Sequence, residues 1–158
     1  MALSKIQAES MNLADTFAFT GTVTGAGEAP EEGTWTPVMS SLSHTLQIGR
    51  YIKIGKMITV QATIHGTSTR SGGSVQVSGL PYATNSTANF YQSAALGGYS
   101  HVGFTSASML GLTVRFNPNN TIFQLMRYRH NNNFDGLQAT QQGTNAQIFY
   151  LGGTYIAN

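Results

Sequence analysis

IGRYIKIGKMITVQATI, residues 48–64, is the stretch that decides the fold. From Met57 onward apolar and polar positions alternate strictly. Ile58, Val60, Ala62 and Ile64 point one way, and Met57, Thr59, Gln61 and Thr63 point the other. A period of two sustained over this length marks a strand with one buried face. Gly55–Lys56 is turn chemistry placed between this strand and the residues before it, so 48–64 predicts two strands joined by a tight turn.

Moving outward, the same grammar recurs. Val75 and Val77 lie between Gly72–Gly73 and Gly79–Leu80–Pro81. Leu112, Val114 and Phe116 alternate with Thr113 and Arg115, NPNN at 117–120 is a strong turn, and Thr121–Arg129 returns, so 111–129 predicts a β-hairpin. Ala146–Ile156, broken by Gly152–Gly153, closes the chain. Near the start, Ser4 is placed to cap a short helix over 4–12, and Thr16–Thr24 offers Phe17, Phe19 and Val23 as inward residues of an extended segment. GAGEAPEEG at 25–33 holds Gly, Pro and acids but no core residue, which places a boundary between an N-terminal arm and linker, 1–32, and a body, 33–158. With no long amphipathic helix and no βαβ rhythm, the expected fold is all-β: an antiparallel β-sandwich, jelly-roll-like, with an extended N-terminal arm.

Composition narrows the setting. A chain of 158 residues is long enough to bury about two thirds of its unfolded surface. Only 9% of residues are charged, against about a quarter in an ordinary domain. Disorder does not account for this, because 41% of residues are hydrophobic and fall in strand patterns. Nor does membrane insertion, because no apolar run approaches the ~20 residues a helical span needs. What remains is a chain that hides surface in an assembly, or one whose surface is built from Thr, Ser and Asn. Thr121–Arg129 carries Ile122, Met126 and Tyr128 on one side and Phe123 and Leu125 on the other. Its second face is then covered either by another subunit or by the chain's own loops.

Charge is divided unevenly. Residues 1–32 hold Lys5 against five acids, a net −4, whereas residues 33–158 hold seven Lys/Arg against Asp135, a net +6. An acidic arm and a basic body favour head-to-tail contact between neighbours. The absence of cysteine rules out disulfides and cysteine-containing metal sites. No apolar core of secretory type follows Lys5, so no secretory signal is expected.

The residues argue against catalysis. Glycoside hydrolysis needs two carboxylates some 5–10 Å apart. The body offers only Asp135, and Glu31 and Glu32 fall in the connector. No nucleophile elbow, P-loop or dinucleotide fingerprint occurs. His44, His65, His101 and His130 are dispersed and lack metal-motif spacing, so neither metal nor cofactor is expected. Scattered Arg and Lys with no basic run speak against nucleic acid. The densest polar and aromatic cluster is Arg127, Tyr128, Arg129, His130, Asn131, Asn132 and Asn133, followed by Phe134 and Asp135. Its planar and paired donors suit the hydroxyls and ring faces of a bacterial surface glycan, and they equally suit a solvated hairpin loop. Tyr82, Phe90, Tyr91 and Tyr99 lie in a Ser/Thr/Asn/Gly-rich middle, either as an exposed surface or as core.

SKIQAESMNLADTFAFTGTVTGAG at 4–27, GTWTPVMSS at 33–41, the strand pair at 48–64 and the closing GGTYIAN together resemble the C-terminal modules of bacteriophage tail fibres and related small virion β-sandwich proteins. The resemblance rests on structural motifs, and it implies a virion location, a homotrimer and a non-enzymatic tip that binds the host cell surface. A capsid decoration (cement) protein is the alternative. In either case Phe17, Phe19 and Val23 of the arm are the candidates for attachment to a neighbouring subunit or to other virion proteins.

Overall fold

The computed structural model of the chain describes residues 29–100, 109–130 and 134–158. The short helix at 4–12, the arm residues Phe17, Phe19 and Val23, the loop residues Asn131, Asn132 and Asn133, and His101 lie outside the described residues. Among the described residues ten strands follow one another: β1 (Glu31–Trp35), β2 (Val38–Met39), β3 (Leu42–Ile54), β4 (Met57–Ser68), β5 (Gln76–Ser78), β6 (Gln92–Ser100), β7 (Met109–Phe116), β8 (Ile122–Arg129), β9 (Asp135–Gly136) and β10 (Ala146–Ile156). A single 3-10 turn at Ala139–Gln141 is the only helical element among the described residues.

The alternation of 57–64 is realised as expected. Ile58, Val60, Ala62 and Ile64 are buried, while Met57, Thr59 and Gln61 are exposed. Ile54 pairs with Met57 across a two-residue turn, and Gly55 has φ 57° there, a conformation that a residue without Cβ adopts at no steric cost. The expected hairpin at 111–129 is β7–β8, in register from Thr113↔Met126 to Phe116↔Phe123.

All strand pairs are antiparallel, and the sheet runs β1-β3-β4-β10-β6-β7-β8-β5-β2, with β9 added to β8. It is one strongly curled, half-barrel sheet. Its two limbs, β1-β3-β4-β10 and β7-β8-β5-β2, are joined by hydrogen bonds through β6. That strand pairs with β7 through Gln92–Ala94 and with β10 from Ala95 onward. Aromatic contacts bridge the limbs: Trp35 of β1 meets Phe123 of β8 edge-on at 6.5 Å, and Phe116 of β7 meets Tyr155 of β10 at 4.9 Å. Val75, Leu80 and Leu137 complete the core between them.

Two local expectations change. Glu31 and Glu32, read from sequence as connector, are the first residues of β1, opposite Lys53 and Ile52. On β8, Phe123 and Leu125 enter the core, while Met126, on the opposite face, is also buried, within this chain. Of the two covers considered for that face, the chain itself supplies the one over Met126. Tyr128 alone stays half-exposed.

Candidate functional site

Arg127, Tyr128 and Arg129 end β8, His130 follows it, and Asp135 begins β9 directly opposite Arg127. This register makes an ion-pair lock. Arg127 Nε and Nη2 donate to Asp135 Oδ1 and Oδ2 at 2.7 and 2.9 Å, and Arg129 Nη2 donates to Oδ2 at 2.6 Å. Hydrogen bonds from Arg127, reinforced by the charges of Arg127 and Arg129, hold the Asp135 carboxyl below its ordinary range, and the same pair raises Arg127. Arg127 is buried, and its Nη1, like Arg129 Nε, has no hydrogen-bond partner.

The lock therefore uses the two arginines internally, closing the base of the loop. The outward members are Tyr128 and Phe134, whose rings lie 5.1 Å apart and tilted by 38°, together with exposed His130. The sequence-level cluster thus divides into an inner ionic part and an outer aromatic part. Strand alternation could have separated them, since Arg127 and Arg129 share the side of Phe123 and Leu125.

A second polar group forms where β1 meets the rim of the core. Tyr51 and Tyr82 both donate to Glu31 Oε1, at 2.7 and 2.6 Å, and Lys53 Nζ stands 3.7 Å from Oε2. The two tyrosyl hydroxyls, with Lys53 adding to them, lower the Glu31 pKa, and the Tyr51 hydroxyl is pushed up to about 12 by its bond to that carboxylate. Glu31 and Asp135 are both held ionised, the opposite of what a general acid requires. Among the described residues no cluster of three or more His, Asp or Glu is placed to hold a metal ion.

Two further depressions lie on the outer face of β1, β3, β4 and β10. There the register stacks Ile48–Thr63–Tyr150, then Arg50–Gln61–Gly152, then Ile52–Thr59–Thr154, then Ile54–Met57–Ile156 in successive rows. One hollow of about 370 Å³ is bounded by Ile48, Arg50, Gln61, Gly97, Tyr150 and Gly152. An adjoining one of about 280 Å³ is bounded by Glu32, Arg50, Ile52, Thr59 and Gln61. Ile48, Ile52, Ile54, Met57, Tyr150 and Ile156 are each between 42% and 51% exposed on this face. The sequence reading did not single it out. The signal was present in IGRYIKI, where isoleucines share one side with Arg50 while Tyr51 and Lys53 take the side facing Val60 and Ile58.

No protein-family model matches this chain, and no curated protein matches it. Among solved structures it is similar to the Dettilon tailspike protein, with a TM-score of 0.60 and 16% sequence identity over 82% of this chain. The match takes in 24% of the tailspike chain, so the present chain corresponds to about a quarter of that protein. The curled antiparallel sheet is thus a fold that also occurs within a phage tailspike.

Proposed function

We propose that this chain is a structural protein of a bacteriophage tail, a tip module that works as a homotrimer and contacts the host cell surface without chemistry of its own. One observation carries this: the fold likeness to part of a tailspike extends over 82% of the chain. A 9% charged composition and the apolar outer face fit a life inside an assembly. With Arg127 and Arg129 engaged by Asp135, the host-facing contact falls to Tyr128, Phe134 and His130, which flank the β8–β9 connection. Exposed aromatic rings there offer flat apolar surface to a sugar ring.

Antibody against the purified chain should label virions at the tail in electron micrographs, in few copies. Dense labelling of the head would make it a capsid decoration protein instead. Tyr128→Ala should reduce binding to host cells about tenfold while leaving the urea midpoint unchanged, because half of that side chain is already in water. Undiminished binding in that variant would remove the β8–β9 connection from the recognition surface.

A further inference from the structure

Resting on the homo-oligomeric reading above, we infer that copies of this chain meet through the outer face of β1, β3, β4 and β10, centred on Arg50 and Gln61. The face is too apolar to be left in water. A contiguous patch beyond a few hundred Å² on a soluble protein marks a contact surface. From Leu46 to Ile54 at ~3.4 Å per residue, across four strands ~4.8 Å apart, it spans about 30 by 19 Å, or about 600 Å². That is the larger part of the ~800 Å² each partner contributes to a stable interface.

Its chemistry selects protein over glycan. Aliphatic Ile48, Ile52, Ile54, Met57 and Ile156 dominate it, whereas sugars are gripped by aromatic faces and dense polar groups. Its charges select a second copy. Only Glu32 and Arg50 are charged among the rows that line the hollows, they sit on adjacent strands, and neither makes an ion pair within the described chain. Neighbours presenting the same face around a shared axis bring an acid to the arginine and an arginine to the acid. The hollow over Gly97 and Gly152 lies toward one end of the face, and the exposed apolar row Ile54–Met57–Ile156 lies at the other. Each copy therefore carries both a hollow and an apolar row to set against a neighbour.

Sedimentation of the full chain at micromolar concentration tests this. Wild type should run as one oligomeric species, and Ile52→Glu and Ile48→Glu should weaken association roughly 100-fold, as a charge at the centre of an interface does. Leu110→Glu, at an equally apolar but more exposed position of β7, should leave it intact. Because the chain has no cysteine, Thr59→Cys gives a single reporter thiol. Maleimide should modify it slowly in the oligomer and quickly when Ile52→Glu is added, with circular dichroism of that variant unchanged so that dissociation and not unfolding exposes the thiol.

The outcomes separate. A dimer that these variants dissociate keeps the face and removes the trimer. An oligomer that survives them, with the thiol freely labelled, keeps the assembly and overturns the face. A wild-type monomer overturns both. A monomer with a protected thiol assigns the face to the chain's own residues 1–28 and overturns contact between copies.

Discussion

Arg127 can be buried because Asp135 stands opposite it in the β8–β9 register and offers both carboxylate oxygens. Removing one partner of such a pair costs more than the pair contributes, since the remaining charge stays out of water. Asp135→Asn should therefore lower stability by about 1–3 kcal/mol in urea unfolding, less than for a fully enclosed pair because Asp135 is partly solvated. Arg127→Met in the same background should recover part of the loss, and an unchanged midpoint in Asp135→Asn would show that the lock bears no load. His44 gives a second residue-scale test. Its Nε2 accepts the Met39 N–H at 3.0 Å, which requires the neutral ring, and burial lowers its pKa below the ordinary 6.5. The unfolded chain thus takes up a proton before the folded one. The contribution is complete above about pH 6.5 and is lost as pH falls through the folded value. Urea midpoints should decline between pH 7.5 and 5.5 in wild type, and His44→Gln should flatten that decline. Asp135, also depressed from its ordinary 3.8, begins to act only at lower pH than His44 does.

At the scale of elements, legibility followed side-chain alternation. β4, the β7–β8 hairpin and β10 were readable because Ile58–Ile64, Leu112–Phe116 and the residues around Phe149 separate cleanly into inner and outer sets. β6 was not, for QSAALGGYS holds small residues on both sides and its place is set by backbone ladders to two neighbours. β1 was hidden for another reason: Pro30-Glu31-Glu32-Gly33 is linker chemistry locally, and Glu31 finds its partners in Tyr51 and Tyr82, far along the chain. The polar cluster at 127–133 was legible as a group of residue types, and alternation puts Arg127 and Arg129 on one side, but their engagement by Asp135 depended on β9 pairing with β8. The corner where β6 passes from one limb to the other depends on Gly153, where an added Cβ would collide with the Ala94 side chain and backbone. Gly153→Ala should cost about 1–3 kcal/mol by overpacking. Gly152→Ala, whose Cβ would meet only ordinary contacts beginning at 3.6 Å, is the matched control. Equal losses in the two variants would show that the corner does not need its close approach.

For the molecule as a whole, the question is how much chain the curled sheet needs. Every named strand lies between Glu31 and Ile156, and the core cluster runs from Trp35 to Ala157. A chain beginning at Ala29 keeps the whole of β1 and should fold with an unchanged urea midpoint. Beginning instead at Gly33 deletes Glu31 and Glu32. That removes the carboxylate shared by Tyr51 and Tyr82, the partner of Lys53, and two positions of the β1–β3 ladder. The edge strand would be left with Gly33, Thr34 and Trp35, and Trp35 is the residue that ties this limb to Phe123 across the core. The shorter chain should still show the β-sheet signature by circular dichroism, but with a clearly lower urea midpoint. It should also associate more weakly, because Glu32 is the acid set against Arg50 on the outer face. If the chain from Ala29 fails to fold, residues 1–28 supply something that the sheet from Glu31 to Ile156 needs. If the two truncations unfold at the same midpoint, Glu31 does not anchor the edge of the sheet, and the body begins at Gly33 as its local sequence implies.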